Sequence, residues 1–277
     1  MILKYIASSG NIYDLNAKNE ILTREANYHS WVWIANGTEL QFGKRVANFS
    51  KEPAEYPVTL TFEGSREFRK NMIEALHEDF EADVRNMTPG RVIWGDYYID
   101  CFITESSTTP DERLAWTDNE VLLYCPYPFW IREETRTFAI QDEEVDEDFL
   151  DYAFDYQYDY SYQPGFTEWE RDFPFASDFR MVIHGQAQDP LVMINGHQYR
   201  VYDQIGSTES IVIDTRNNRN TVTKVLGNGT ELNIFDLRDK TESVFEQIPG
   251  GKLTINWSGT FAFDLTIYEE RSEPRVN

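Results

Sequence analysis

Basic residues are scarce in this chain. Its 277 residues include 25 Lys and Arg against 48 Asp and Glu, for a formal net charge of −23. Nucleic-acid-binding faces are built from Lys and Arg, so tight phosphate binding is excluded; nucleic acid sliding past without sticking is not. Cysteine is almost missing: Cys101 and Cys125 are the only thiols. In an unsecreted chain two lone cysteines are expected to be buried, free and unreactive. No apolar run approaches the roughly 18 residues that a membrane span needs, so no membrane partner is expected. The opening MILKYIASSG lacks the long apolar core and cleavage pattern of a secretory signal. The Asn-x-Ser/Thr triplets at Asn36, Asn48, Asn86, Asn228 and Asn256 are therefore expected to be chance matches.

Catalytic signatures are missing as well. There is no G-x-S-x-G, no G-x-G-x-x-G and no G-x-x-x-x-G-K-[ST]. The four histidines, His29, His77, His184 and His197, lie far apart with no metal-ligand spacing. Glycoside hydrolysis needs two carboxylates facing each other across a cleft, and 48 acids single out no such pair. A non-enzymatic protein without cofactor or metal is expected.

What is present is concentrated in residues 142–178. Thirteen of these 37 residues are Asp or Glu, one (Arg171) is basic, and aromatic rings are interleaved throughout. Like charges favour disorder, but Phe149, Tyr152, Phe154, Trp169, Phe173 and others supply apolar surface that can pack. The segment reads as an ordered connector with a charged outer face. Asp142–Asp148 offers oxygen ligands for calcium but lacks the D-x-[DN]-x-[DN]-G pattern, so a plain acidic surface is the reading.

On either side of the connector the chain reads as mainly β. In the first half, short apolar runs alternate with turn residues: Ile2–Ile6, Trp31–Ile34 before Asn36-Gly37, Phe42–Phe49, Tyr56–Phe62, then Arg91–Trp94 and Tyr97–Thr104 split by Gly95-Asp96, and Ala115–Tyr124. One helix stands out at about 65–86. Ser65 can cap it, Phe68, Met72, Leu76, Phe80 and Val84 recur every four residues with Ile73 beside them, and Thr88-Pro89-Gly90 ends it. The second half is a series of short strands: Phe179–His184, Leu191–Ile194 and Gln198–Val201 around Asn195-Gly196, Ser210–Asp214, Thr221–Val225, Glu231–Phe235, Val244–Ile248, Lys252–Trp257 and Phe261–Tyr268. Their even spacing predicts an antiparallel sandwich, with the connector contributing strands or a packed edge. Two domains follow, 1–140 and 141–277. A sandwich bearing Trp and Tyr could stack sugar rings, so Trp169, Tyr199, Tyr202 and Trp257 are candidate ligand contacts; alternation places Trp257 inward with Leu253 and Ile255.

Taken together, several stretches resemble the distal tail proteins (Dit) of siphophages and prophages. The ending carries the most specific likeness: Pro249-Gly250-Gly251-Lys252-Leu253-Thr254-Ile255-Asn256-Trp257-Ser258-Gly259, Phe261–Tyr268 and Glu270-Arg271-Ser272-Glu273-Pro274-Arg275. Asn195-Gly196-His197-Gln198-Tyr199, Asn233-Ile234-Phe235-Asp236, Phe173-Pro174-Phe175, the Trp31/Trp33 region, the helix and Cys125-Pro126-Tyr127-Pro128 also sit where that family has them. The resemblance implies an N-terminal β-domain that forms a homo-hexameric ring and a peripheral galectin-like β-sandwich. It implies a structural baseplate hub in the virion, assembled in the bacterial cytoplasm, with partners in the tail tube protein, the tail-tip protein and in some phages a receptor-binding protein. DNA would pass through an acidic ring without specific binding. The alternative is a carbohydrate-binding module for host cell-wall polysaccharide.

Overall fold

The computed structural model describes residues 3–17, 20–109, 115–141, 165–216 and 219–275. The Asp142–Asp148 run and the Asp-Tyr alternation of 151–162 lie outside the described residues. The chain forms two compact units, one ending at Arg132 and resumed from Glu270, the other Glu133–Glu269. The boundary expected at 140/141 lies a little beyond the observed one. The change of unit falls inside a strand, Trp130–Phe138, where no turn residue marks it. As expected, the architecture is mainly β with a single α-helix among the described residues.

The first unit opens with β1 (Leu3–Ile6), β2 (Ile12–Asp14), β3 (Ile21–Ala26), β4 (Ile34–Glu39), β5 (Lys44–Ser50) and β6 (Ala54–Glu63). The helix α1 (Arg66–Arg85) follows, then β7 (Gly90–Trp94), β8 (Tyr97–Thr109), β9 (Trp116–Cys125) and β10 (Trp130–Phe138). The long strand β8 serves two ladders. Its first half pairs with β7 across the tight Gly95-Asp96 turn, and its second half pairs with β9 from Phe102 onward, with an irregularity between Ile103 and Glu105. One ladder continues β8-β7-β1-β2, the other β8-β9-β6-β3. Side chains from both ladders and α1 fill a common core, including Tyr5, Leu60, Phe62, Leu76, Phe80, Ile99 and Leu123. Buried Tyr28 is ringed edge-on by Tyr56, Trp94 and Trp130 at 5.4–5.6 Å between centroids. Cys101 and Cys125 are free and fully buried. A hydrogen bond with Cys125, reinforced by burial, pushes the Cys101 thiol well above its ordinary pKa, away from thiolate chemistry.

Ser65 caps α1 as expected, its side chain accepting from the Phe68 N–H at 3.2 Å. The buried face is not the expected stripe throughout. Leu76 and Phe80 are buried, but Val84 is 39% exposed, and Asp79 and Asp83 point inward instead. Both carboxylates are heavily bonded to the β1–β2 hairpin. Asp83 accepts from the Tyr5 hydroxyl, the Ser8 N–H (3.0 Å) and the Ser8 hydroxyl (2.5 Å). Asp79 accepts from the Ser9 hydroxyl (2.7 Å), Asn11 Nδ2 (3.0 Å) and the Tyr13 hydroxyl (2.5 Å). Burial raises the Asp79 pKa, but these three donors outweigh it and hold the carboxyl below its ordinary value. Burial, then the bond to Asp83, drives the Tyr5 hydroxyl upward.

The second unit contains the rest of β10, then β11 (Phe166–Glu170), β12 (Asp178–His184), β13 (Ala187–Gln188), β14 (Leu191–Ile194), β15 (His197–Arg200) and β16 (Gln204–Ile205). After these come β17 (Ser210–Asp214), β18 (Thr221–Val225), β19 (Glu231–Asn233), β20 (Lys252–Trp257) and β21 (Ala262–Arg271), which ends back in the first unit. One sheet runs β19-β18-β17-β12-β21-β10 and a second runs β11-β20-β14-β15. Alternate residues of each point into one core: Met181, Ile183, Ile211, Ile213, Phe263 and Leu265 from the first, Val192, Ile194, Leu253, Ile255 and Trp257 from the second. Asn195 and Gly196 both take positive φ, as a two-residue hairpin turn requires. One expected strand is shortened and another does not form. Glu231–Phe235 stops at Asn233 and passes into a 3₁₀ turn, and Val244–Ile248 is a turn with a single bridge from Ile248 to Ser177. Ser243 takes the Phe245 N–H on its hydroxyl at 3.3 Å and the Glu246 N–H on its carbonyl at 3.1 Å, so local turn bonds replace a ladder there. Val244 and Ile248 are nevertheless fully buried.

Gly90 tests the Asp83 contact directly. A Cβ at this position would lie 2.3 Å from the Tyr5 hydroxyl and 2.6 Å from Asp83 Oδ2. Gly90→Ala is expected to cost about 1–3 kcal/mol, the usual range for overpacking, read as a lowered urea midpoint. Gly206→Ala, whose nearest neighbour would be Glu209 at 3.6 Å, should leave the midpoint nearly unchanged.

Candidate assembly surfaces

The most exposed large apolar residue of the first unit, Phe42, lies on a hairpin with other apolar residues in solvent beside it. β4 and β5 pair only with each other among the described residues. Phe42 at the tip is 87% exposed and Phe49 is 60% exposed, with Val32, Leu40 and Val46 also in solvent. An isolated two-stranded hairpin is marginal in water, and contiguous apolar exposure marks an interaction site. The sequence suggested a turn at Asn36-Gly37, but those residues lie within β4 and the chain reverses over Leu40–Gly43, where the Leu40 N–H donates to the Gly43 carbonyl at 2.9 Å. Gly37 sits at a register shift, where a Cβ would fall 1.9 Å from the Arg45 carbonyl oxygen. Glycine is required there by close backbone approach, not by a turn. At the base, Lys51 Nζ donates to the Pro128 carbonyl at 2.8 Å and lies over the rings of Phe129 (4.4 Å) and Trp33 (5.3 Å). Burial lowers its pKa to about 8, while the ring faces favour the cation.

A second surface is the open face of the β3-β6-β9-β8 ladder. Glu25, Thr59, Glu120 and Ser107 are paired in one row across four strands, so their side chains share a face. Glu105, paired with Leu122, lies on the next row of the same face. Glu25, Glu105 and Glu120 are exposed and line a shallow groove of about 450 Å³.

The third surface is a groove of about 480 Å³ between α1 and β8. Its walls are apolar at Phe80, Val84 and Ile103 and polar at His77, Glu81, Arg85, Glu105 and Ser106. His77 Nε2 lies 3.0 Å from Asn119 Nδ2 and 2.9 Å from the Ser106 hydroxyl. The amide is a pure donor, so Nε2 accepts and Nδ1 carries the proton of the neutral ring. Among the described residues no carboxylate is bonded to this ring, so the Ser-His pair lacks the orienting acid of a catalytic triad. No partner for the histidines is visible along the chain; the fold brings His77 to Ser106, His184 to Asp264 (2.8 Å) and His197 to the Ser243 carbonyl (2.8 Å).

The residues singled out for sugar stacking do not come together. Trp169 is only 6% exposed, packed against Phe138, and its Nε1 donates to Glu134 at 3.3 Å. Tyr199 is buried with its hydroxyl on the Glu246 carbonyl at 2.9 Å. They sit on opposite edge strands of the β11-β20-β14-β15 sheet. Both belong to the core, because alternation along β11 and β15 turns them inward. Trp257 is inward as expected. Tyr202 alone is open, at 46%, with its hydroxyl 3.2 Å from Asp239. In the described part of the connector, β11 pairs with β20 and Phe173 is buried, while Phe166 and Phe175 remain in solvent. Arg171, its one cation, is buried beside Glu269 (3.8 Å) and donates to the Pro249 carbonyl (2.9 Å) and Ser177 (3.2 Å).

In solved structures, the fold has counterparts. The Dit protein of phage SPP1, described as a paradigm of the hub adsorption apparatus in phages infecting Gram-positive bacteria, matches with a TM-score of 0.63 at 11% identity over 98% of this chain and all of that one. The chain has the fold of a phage tail hub protein. Two structures of the phage p2 baseplate in its activated conformation, with strontium and with calcium, match this hub fold with TM-scores of 0.59 and 0.60, each at 14% identity over 99% of this chain and all of that one. No protein-family model matches the chain, and no curated protein matches it in sequence. At this level of identity it is the hub fold that is shared.

Two outcomes follow for these residues. Trp169→Ala should cost about 3–5 kcal/mol, the range for emptying a buried aromatic site, whereas Tyr202→Ala should stay within about 0.5 kcal/mol as a surface change; urea titration separates them. Burial lowers the His77 pKa. A base whose folded pKa lies below its unfolded value, about 6.5, loses stability as pH falls from that value toward the folded one. Between pH 7.5 and 5.5 the urea midpoint of the wild type should therefore drop more than that of His77→Gln.

Proposed function

We propose that this chain is a structural, non-enzymatic hub subunit of a phage tail tip or baseplate, assembling through its first unit into a homo-hexameric ring. The ring would join the tail tube protein to the tail-tip protein and, through the second unit, to receptor-binding proteins. It would reside in the virion after assembly in the bacterial cytoplasm. The observation that carries this reading is the exposed β4–β5 hairpin, an apolar element with no partner within its own described chain and therefore suited to a neighbouring copy. The likeness to the hub fold supports the same reading. A hairpin docking on a different surface of the next copy is a heterologous contact, which closes into a ring when the rotation allows.

The acidic face of Glu25, Glu105 and Glu120 would then line the ring's lumen. Repelling phosphates, such a wall lets DNA slide through without adhering. The carbohydrate-binding alternative loses its support with Trp169 and Tyr199 in the core.

Light scattering and negative-stain imaging test the ring directly: closed rings are expected, and a strict monomer, alone and mixed with tube and tip proteins, rules it out. Because every copy carries −23, assembly is expected to strengthen as salt rises and screens the repulsion. Rings carrying Glu25→Lys, Glu105→Lys and Glu120→Lys together should retain duplex DNA in a mobility-shift assay at 150 mM salt, about the physiological level, where wild-type rings do not.

A further inference from the structure

Two clefts in the second unit meet at one glutamine. A cleft of about 320 Å³ lies between the turn before β14 and the turn after β20, and one of about 560 Å³ lies along β13 and β16. Gln188 lines both. Each is of a size that holds a small molecule. Their polar side chains are uncommitted: among the described residues those of Gln186, Gln188, Asp189, Gln204 and Asn256 make no hydrogen bond or ion pair. Elsewhere in this unit such groups are spent on the fold. Asn195 Oδ1 accepts from the Thr254 N–H at 2.7 Å, and Asp264 accepts from the Thr137 hydroxyl at 2.6 Å. Gln188 and Gln204 pair across the β13–β16 ladder, so their amides leave the same face.

Asp189 is held in an unusual backbone conformation at the smaller cleft. Its φ is +47° directly before Pro190, where extended backbone is the norm and a positive value favours glycine. The Asp189 N–H donates to the Asp203 carbonyl at 2.9 Å, and the Pro190 carbonyl accepts from the Val201 N–H at 3.2 Å, so the strand is anchored on both sides of the carboxylate. Backbone outliers of this kind gather at ligand clamps. The apolar part of the cleft is a row across three strands. Met193 pairs with Asn256, and Asn256 pairs in turn with Phe166, whose ring is 52% exposed. Of the rings considered above for stacking, only Trp257 borders the cleft, and it does so from within the core.

This lining selects a ligand class. Its amides, together with the Ser258 and Thr260 hydroxyls, both donate and accept, and Asp189 accepts only. Sugar hydroxyls donate and accept in the same way, and the C–H face of a sugar ring lies on an apolar ring or thioether. Glu209 is paired with Lys224 at 3.3 Å, so Asp189 is the open charge and repels anions. One carboxylate brings too few oxygens for a hard cation, and a peptide anchor needs a drier pocket than one ringed by amides and hydroxyls. We propose that the joined cleft binds a neutral saccharide, with one sugar ring over Phe166 and Met193, its hydroxyls on Asn256 and Asp189, and the next sugar reaching Gln188 and Gln204. This is a ligand site within a hub subunit, separate from the stacking surface weighed above, and it does not depend on the ring reading.

Saturation-transfer NMR on the full chain decides it, with maltotriose, cellotriose, lactose and chitotriose as probes and with tri-arginine and oligogalacturonate as the competing chemistries. At least one neutral saccharide should show transfer, and its affinity should fall at least tenfold in Asp189→Gly, Asn256→Ala and Phe166→Ala but not in Tyr202→Ala. Asp189→Gly separates binding from folding. Glycine is at ease at positive φ, so the urea midpoint of this variant should equal or exceed that of the wild type while binding is lost. Transfer to none of the four saccharides, or transfer that the cleft variants leave intact, overturns the proposal. So does binding of tri-arginine or oligogalacturonate alone, which would make the cleft a seat for a cation or an anion. Rings that form but bind no saccharide overturn the cleft and leave the hub reading standing.

Discussion

Two aspartates on one helix face hold the first unit together. Asp79 and Asp83 are one turn apart on α1, and between them they accept six hydrogen bonds from Tyr5, Ser8, Ser9, Asn11 and Tyr13. Hydrogen bonds to a charged acceptor are worth about 1.5–3 kcal/mol each, and a buried carboxylate without them would be strongly destabilising. The pair therefore acts as a directional constraint. Apolar contacts at Leu76 and Phe80 tolerate sliding of the helix; the carboxylates do not. By fixing α1 against β1 and β2, they also fix the groove between α1 and β8 and the exposed position of Val84.

Fixing the helix leaves the other side of the β3-β6-β9-β8 ladder uncovered. One face of this ladder packs into the core with α1; the opposite face carries Glu25, Glu105 and Glu120. An antiparallel sheet with one wet face is ordinary. Here the wet face concentrates one sign of charge, while the hairpin carries the other. The second unit follows a different logic. It is a sandwich whose two sheets bury complementary alternating rows, and the one buried cation among its described residues, Arg171, sits beside Glu269 and donates to the Pro249 carbonyl. Trp169, Tyr199 and Trp257 go to the core, which is why Tyr202 alone of the candidate stacking rings is at the surface.

Much of this was legible in the sequence. The alternation of Val58, Leu60 and Phe62, the Gly95-Asp96 and Asn195-Gly196 turns, and the Ser65 cap each act over a few residues, so local chemistry determined them. Composition likewise set the acidic surface and the buried free thiols. Local signals misled where a longer-range contact took over. Asn36-Gly37 resembles a turn, yet the ladder with β5 runs past it and uses the glycine for close approach. Val244–Ile248 resembles a strand, yet Ser243 accepts from the Phe245 and Glu246 N–H groups and turns it.

Tertiary structure alone decided which apolar residues stay in water. Period and hydrophobicity treat Phe42, Phe49 and Val84 as they treat Phe62, Phe80 and Leu76; nothing local distinguishes an apolar residue that meets its own core from one left for another surface. Nor does the sequence reveal that Asp79 and Asp83 turn inward, because the hydroxyls that stabilise them lie almost 70 residues or more away along the chain. The sequence by itself determined most strands and turns and the charge, since each depends on neighbours along the chain. Which faces are buried depends on neighbours in space, and only the folded chain supplies those.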